Sequence, residues 1–333
     1  MRAMVYDTDG PDLGVLRAVE LPDPVPGPGQ VRVRVAIAGV NPTDWKARVP
    51  GNRPKPWPWQ VPGQDGAGVV DRVGPGVDPG RTGERVWLFL AGHGHAYGTA
   101  AELVCVPAEH AVPLPEHIPF DIGAGLGVPA LTAHRCLFAD GDLDGRTVLV
   151  AGGAGAVGHA AVQLARDAGA RVLTTVSSEA KAEVAAAAGP HVVLRYRDPD
   201  HRDQLREAAP DGIDRVVDVD VGTNLVTYEA LLNEAATVAI YAASDAAPEL
   251  TVPIRALMRR NVLLRLVMLY GVPEDRLLAG AADVTALLRG PGVVPLPAIR
   301  YSLEQLEDAH ARVRAGAEGK VLIDVAEDVA ADT

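Results

Sequence analysis

Alternation dominates the first third of the chain. Residues 31–38 (Val-Arg-Val-Arg-Val-Ala-Ile-Ala) set Val or Ile against polar or small neighbours, the period of two that marks a half-buried strand. Further strands are predicted over 66–73, 84–90 and 100–106, separated by turn clusters such as Gly74-Pro75-Gly76. Residues 50–63, rich in proline and holding Trp57 and Trp59, predict an irregular loop. From about residue 120 the pattern changes. Helical stretches alternate with short apolar runs at 147–151, 171–176, 191–194, 214–219 and 236–241, which predicts βαβ units around a parallel sheet. An apolar strand over 262–269, helices near 273–289 and 303–315, and a closing strand from Lys320 to Val325 complete the pattern. The expected architecture is α/β: a doubly wound parallel-sheet domain, 121–264, inserted in a discontinuous β-rich domain formed by 1–120 plus 265–333.

The strand at 147–151 runs straight into Gly-Gly-Ala-Gly-Ala-Val-Gly and then into helix-forming residues 159–168. Gly153, Gly155 and Gly158 form G-x-G-x-x-G in its required strand–turn–helix context, the dinucleotide-binding signature of a Rossmann domain. The first glycine is expected to make the tight turn, the second to let backbone approach a pyrophosphate, and the third to permit helix–strand packing. Ala156 and Val157 open the helix, whose unpaired N–H groups and positive dipole end favour phosphate. The second strand should end in an acid if the cofactor is NAD, but the chain reads Leu173-Thr-Thr-Val-Ser-Ser178 there. Ser177, Ser178 and Lys181 instead suit a 2′-phosphate and point to NADPH. Glu179 is the discordant neighbour, expected to turn away toward the helix dipole. The alternative is that Ser178 only caps that helix.

Composition narrows the partners. The formal charge is −12, from 31 basic and 43 acidic residues, which argues against nucleic acid. Two cysteines, Cys105 and Cys136, suffice for neither a disulfide framework nor a cysteine-based zinc site. No apolar run has the length of a membrane span or a signal peptide, so a cytoplasmic protein is expected.

Several segments in order resemble the zinc-free quinone oxidoreductase branch of the medium-chain dehydrogenase/reductase superfamily. They are Gly39-Val-Asn-Pro-Thr-Asp44, Pro62-Gly-Gln-Asp-Gly-Ala-Gly-Val-Val70, Gly83-Glu-Arg-Val86, Tyr97-Gly98 before Ala101-Glu102, Val128-Pro-Ala-Leu-Thr-Ala133, Ala309-His310 and Gly319-Lys320-Val321. The resemblance implies that the β-rich domain is GroES-like and that the protein is a homodimer joined at the Rossmann sheet edge, for which 262–269 is an apolar candidate. It also indicates which residues to compare with a metal site. Zinc-dependent members would carry Cys at 41 and His-Glu at 64–65, where this chain has Asn41, Gln64 and Asp65. A neutral amide is a poor zinc ligand, so no metal is expected.

Without a Lewis acid, hydride transfer to an already electrophilic quinone or α,β-unsaturated carbonyl is the implied reaction. The resemblance puts Asn41 and Thr132 near the nicotinamide or phosphates, Tyr196 near the adenosine end, and Tyr241 at the end of the fifth strand. Trp45 and Lys46 are candidates for walling the substrate and donating to its oxygen; plain packing and solvation are the alternatives. Arg195 replaces the branch's usual Asn and, with Arg197, is weighed as support for a 2′-phosphate against simple exposure. A dedicated enoyl reductase and a non-catalytic NADPH-binding sensor remain the rival functions. Two patterns are read as decoys. Asp140-Gly-Asp-Leu-Asp-Gly145 opens like a calcium loop but puts Ala151 where the final Glu belongs, and His93-Gly-His95 lacks further ligands.

Overall fold

The computed structural model describes residues 1–7, 15–49, 57–243, 249–290 and 293–326. Two units divide the chain: Met1–Val128 with Pro297–Thr333, and Pro129–Leu296. The first opens with β1 (Arg2–Asp7), β2 (Arg17–Glu20), β3 (Gln30–Gly39), α1 (Pro42–Lys46), β4 (Trp59–Gln60), β5 (Asp65–Val73), β6 (Arg85–Leu88), β7 (Leu103–Pro107), β8 (Ala111–Pro113) and α2 (Phe120–Ala124). Next come α3 (Gly127–Phe138), β9 (Thr147–Ala151), α4 (Ala156–Asp167), β10 (Arg171–Val176), α5 (Glu179–Ala187), β11 (Val192–Arg195), α6 (His201–Ala208) and β12 (Ile213–Asp218). The second unit closes with α7 (Val221–Tyr228), β13 (Leu232–Ile240), α8 (Ile254–Arg259), β14 (Leu263–Leu266) and α9 (Glu274–Leu288). β15 (Ala298–Ser302), α10 (Leu306–Arg314) and β16 (Lys320–Asp324) return to the first unit.

The first unit is built on a seven-stranded sheet ordered β15-β16-β3-β5-β6-β8, with β7 also pairing β3. β3 shows why its sequence alternates only in part. Val31, Val33 and Val35 are fully buried while Arg32 reaches outward to Asp71 at 2.8 Å. Each such valine contributes about 1.5–2 kcal/mol of apolar burial. Beyond Val35 the strand is buried on both faces, with α2 packed against it and β16 joining its edge at Ile37–Gly39. A small sheet, β2-β1-β4, completes this unit.

The second unit carries a six-stranded, wholly parallel sheet ordered β11-β10-β9-β12-β13-β14. This is the doubly wound order, and its strands read as short continuous apolar runs because both faces are covered. α4 buries Ala161, Val162, Leu164 and Ala165.

The division falls at 128/129 and 296/297 instead of the expected 120/121 and 264/265. At the first boundary, α2 packs on β3 and β5, and Asp121 pairs with Arg300 at 2.5 Å. At the second, β14 adds to β13 in parallel, α9 packs on α4, and His134 of α3 bonds Asp283 of α9 at 2.8 Å. The predicted strand over 262–269 is therefore an edge of the parallel sheet and is shorter, at 263–266. In the predicted loop, residues 50–56 lie outside the described residues, whereas Trp59 and Gln60 pair with β1.

Candidate dinucleotide site and a buried charged network

The turn after β9 is tied to β10 by the N–H groups of Gly152 and Gly153, which both donate to Thr175 O, at 2.9 and 3.3 Å. Its left-handed residue is Gly152, at φ 82°. Gly153 is required for another reason, since a Cβ there would stand 2.1 Å from Thr174 Oγ1. A Cβ on Gly158 would meet Gly152 O at 2.2 Å, the close packing expected of the third glycine. Gly155, the N-cap of α4, faces open space, with only Gly152 O within reach at 3.4 Å. Ala156, Val157 and Gly158 form the first helical turn, whose N–H groups lack intrahelical acceptors by the geometry of any helix. An uncovered glycine cradle at a helix N-terminus fits a pyrophosphate.

Beside this turn, at the ends of β10 and β11, sit the residues expected to read the ribose. Ser178 is the N-cap of α5, its Oγ accepting from Lys181 N at 3.4 Å. Ser177 and Lys181 are half-buried. Glu179 does not turn away: its Oε2 accepts from Arg195 Nη1 at 2.6 Å, and Arg195 Nε also donates to Asp198 at 3.0 Å. Arg195 is thus engaged by two carboxylates, while Arg197 lies 6.0 Å over the Tyr196 ring. Tyr196 borders a small cleft whose lining includes Ala151, Thr175, His201 and Asn224. Behind it, buried Asp218 accepts from Tyr228 Oη at 2.6 Å, Asn224 Nδ2 at 2.8 Å and Asp220 N at 2.8 Å. Burial raises the Asp218 carboxyl against the pull of these donors. No local motif marked this network; an acid ending a buried strand was its only sequence signal.

Tyr241 follows β13 and donates its N–H to Asp218 O at 3.2 Å. Burial pushes its phenol far up, with Cys136 and Asp218 adding to the shift, so it stays protonated. Thr132 is buried on α3 in the same unit.

The first unit holds the substrate-side candidates on and before α1. Asn41 is 2% exposed and its amide is bonded at both ends. Nδ2 donates to Asp65 Oδ2 at 2.6 Å, and Oδ1 accepts from Lys320 Nζ at 2.8 Å. Lys320 also donates to Val40 O at 3.2 Å and stands 4.0 Å from Asp65. The other Asp65 oxygen accepts from Val128 N at 2.8 Å. Burial raises the Asp65 carboxyl to about 6 against the opposing effects of Lys320, Asn41 and Val128, and burial lowers the Lys320 ammonium. Asp44 accepts from Asn41 N at 2.7 Å and anchors the start of α1. Trp45 is half-buried, with Arg314 of α10 5.3 Å and Lys46 5.7 Å over its ring. α1 packs on α10, where Arg48 Nη1 donates to His310 Nδ1 at 3.0 Å and Arg48 Nη2 to Glu307 at 2.6 Å.

Asp142 caps its own turn by accepting from Leu143 N and Asp144 N, while Asp140 pairs with Arg265. His95 O accepts from Gln60, and among the described residues no group of three His, Cys, Asp or Glu is arranged to hold a metal. Among the described residues no helix is long and apolar enough to cross a membrane.

The family model of the alcohol dehydrogenase GroES-like domain matches residues 27–116, and that of zinc-binding dehydrogenases matches 156–282. The quinone oxidoreductase of Rattus norvegicus is 30% identical over 328 residues, covering 97% of each chain. The quinone oxidoreductase of Thermus thermophilus, solved also as its complex with NADPH, superposes with TM-score 0.79 at 30% identity, covering 98% of this chain and 100% of that one. A solved NAD-dependent alcohol dehydrogenase superposes with TM-score 0.83 at 29% identity, covering 98% and 100%.

Proposed function

The chain belongs to the quinone oxidoreductase branch of the medium-chain dehydrogenase/reductase superfamily, and from that premise we propose that it is a zinc-independent, NADPH-dependent reductase of a quinone or an α,β-unsaturated carbonyl. The observation that carries the reading is the Asn41–Asp65–Lys320 network. At the positions where zinc-dependent members hold their metal, this chain presents a neutral amide and, 4.0 Å from the Asp65 carboxylate, a buried ammonium. A dication there would meet the ammonium's repulsion and no thiolate, so the residues do not fit zinc. A reaction that needs no Lewis acid follows.

NADPH, when bound, supplies the hydride. The pyrophosphate is assigned to Gly153, Gly155, Ala156, Val157 and Gly158, and the 2′-phosphate to Ser177, Ser178, Lys181 and Tyr196, with Thr132 and Tyr241 toward the nicotinamide. On the substrate side, Asn41 acts through its bonds, fixing the first turn of α1. Trp45 packs the helix in place, and Lys46 is the donor assigned to the substrate oxygen that gains negative charge. That oxygen takes its proton from water. The exposed apolar edge at β14, with Leu266 81% exposed and Met268, two residues beyond the strand, 67%, supports assembly into a homodimer.

The test is NADPH oxidation by the purified protein with quinones and enones offered separately. Formation of hydroquinone or a saturated ketone is expected. Tight NADPH binding with no turnover of either class would refute the reading and favour a sensor.

A further inference from the structure

Arg195 and Glu179 are the part of the ribose corner that the proposed function does not use. The parallel register pairs Arg195 with Val176, which brings the arginine beside the end of β10 and within reach of the first residue of α5. Its Nη1 bonds Glu179 at 2.6 Å and its Nε bonds Asp198 at 3.0 Å. Asp198 is only three residues along the chain, so it holds the arginine in place whatever α5 does. Glu179 comes from a different element and is 70% exposed, against 43% for Arg195. An ion pair this open to water is weakly held and exchanges readily.

We propose that Glu179 is a specificity gate: its carboxylate occupies the Arg195 guanidinium as an internal stand-in for the cofactor's 2′-phosphate, and NADPH binding exchanges one anion for the other. This rests on the NADPH reading above. A dianionic phosphate binds a guanidinium fork more strongly than a single carboxylate does. The groups assigned to the phosphate are close along the chain to this pair: Ser177 and Lys181 lie two residues either side of Glu179, and Tyr196 follows Arg195 and lines the adjoining cleft. NADH lacks the 2′-phosphate and leaves the Arg195–Glu179 bond intact. The gate therefore lowers the preference for NADPH over NADH without touching the site that binds the shared part of both molecules.

The test is equilibrium binding of NADPH and of NADH, followed by protein fluorescence, to the full chain and to E179Q, R195Q and the double variant. Removing one negative charge beside a dianion should raise the NADPH-to-NADH affinity ratio in E179Q by roughly three- to tenfold at low salt, less at high salt. R195Q should lower that ratio by at least about tenfold, because Glu179 then faces the phosphate unneutralised. E179Q should raise the ratio by a larger factor in the R195Q background than in the wild type, because Glu179 repels the phosphate most when Arg195 is gone, and that departure from additivity is the signature of direct coupling. A wild-type preference for NADPH with an unchanged ratio in E179Q would overturn the gate and leave the cofactor reading standing. A wild-type preference for NADH, with NADH binding weakened in E179Q, would make Glu179 a ribose acceptor and overturn both.

Discussion

Replacing Lys320 by methionine tests the buried network most directly. Methionine fills much of the lysine stem's volume but removes the ammonium, leaving Asp65, 0% exposed, without its counter-charge. Asn41 Oδ1 and Val40 O lose donors at 2.8 and 3.2 Å. Removing one partner of a buried pair costs about 3–5 kcal/mol, of which each orphaned acceptor accounts for roughly 1–3. The loss should depend on pH in a definite sense. The folded-state pKa of Asp65 is already raised to about 6, above its ordinary 3.8, and without Lys320 it rises further. A carboxyl raised on folding binds its proton more tightly in the folded state, so its contribution falls as pH rises through the window from 3.8 to the raised value. Denaturant unfolding of K320M at pH 8 should therefore show close to the full penalty, and at pH 5 a smaller one. Adding Asp65→Asn should recover part of the loss at pH 8, since a neutral amide needs no counter-charge. A penalty under about 0.5 kcal/mol, or one equal at both pH values, would refute the account.

The glycine turn separates binding from folding: Gly155→Ala should fold normally but lose NADPH affinity by about tenfold or more in a fluorescence titration, whereas Gly158→Ala, 2.2 Å from Gly152 O, should lose stability by about 2–4 kcal/mol as well. His310, pushed down to about 3 by burial and by Arg48, stays neutral in the folded chain while the unfolded chain charges below pH 6.5. Stability should thus fall from pH 6.5 toward 3 by at most about 4–5 kcal/mol from this residue, and H310Q should flatten that slope in urea titrations; equal slopes would count against it. Leu266→Lys on the exposed strand edge should yield a monomer by light scattering if the assembly runs through β14, and an unchanged dimer would remove that edge from consideration.

Much of the fold is legible in the chain because burial sets the pattern. The strands β9, β10 and β12 are covered on both faces and read as unbroken apolar runs, and the glycine turn carries its own steric reasons. What local pattern does not reveal is which sheet a strand joins. Residues 263–266 read as a strand, yet only the pairing with β13 shows that they end the parallel sheet, and the domain boundary moved with them. β1, a four-residue buried run between Arg2 and Asp7, and β15, of mixed exposure, escaped because neither shows a period of two. The site was half visible. Gly155, Gly158 and the Ser178 cap follow from neighbours a few residues away. The Lys320–Asn41 bond spans 279 residues, and nothing near either end announces it except a lysine heading a run of Val-Leu-Ile. Glu179 looked discordant because its partner lies on a different element, at the end of β11.

The order in which the first unit's parts leave the ribosome follows from its split sequence. Residues 129–296 contain every strand of the parallel sheet, so that unit has all its pieces before residue 297 is added. The first unit does not. Its β3 exposes the edge along Ile37–Gly39 until β16 arrives, and Asp65 has no ammonium beside it until Lys320 is synthesised. A nascent chain must therefore carry an unpaired strand edge and a half-built polar centre through the whole synthesis of its neighbour. Completion of the early-made half thus waits on a residue added 279 positions after the asparagine it will bond.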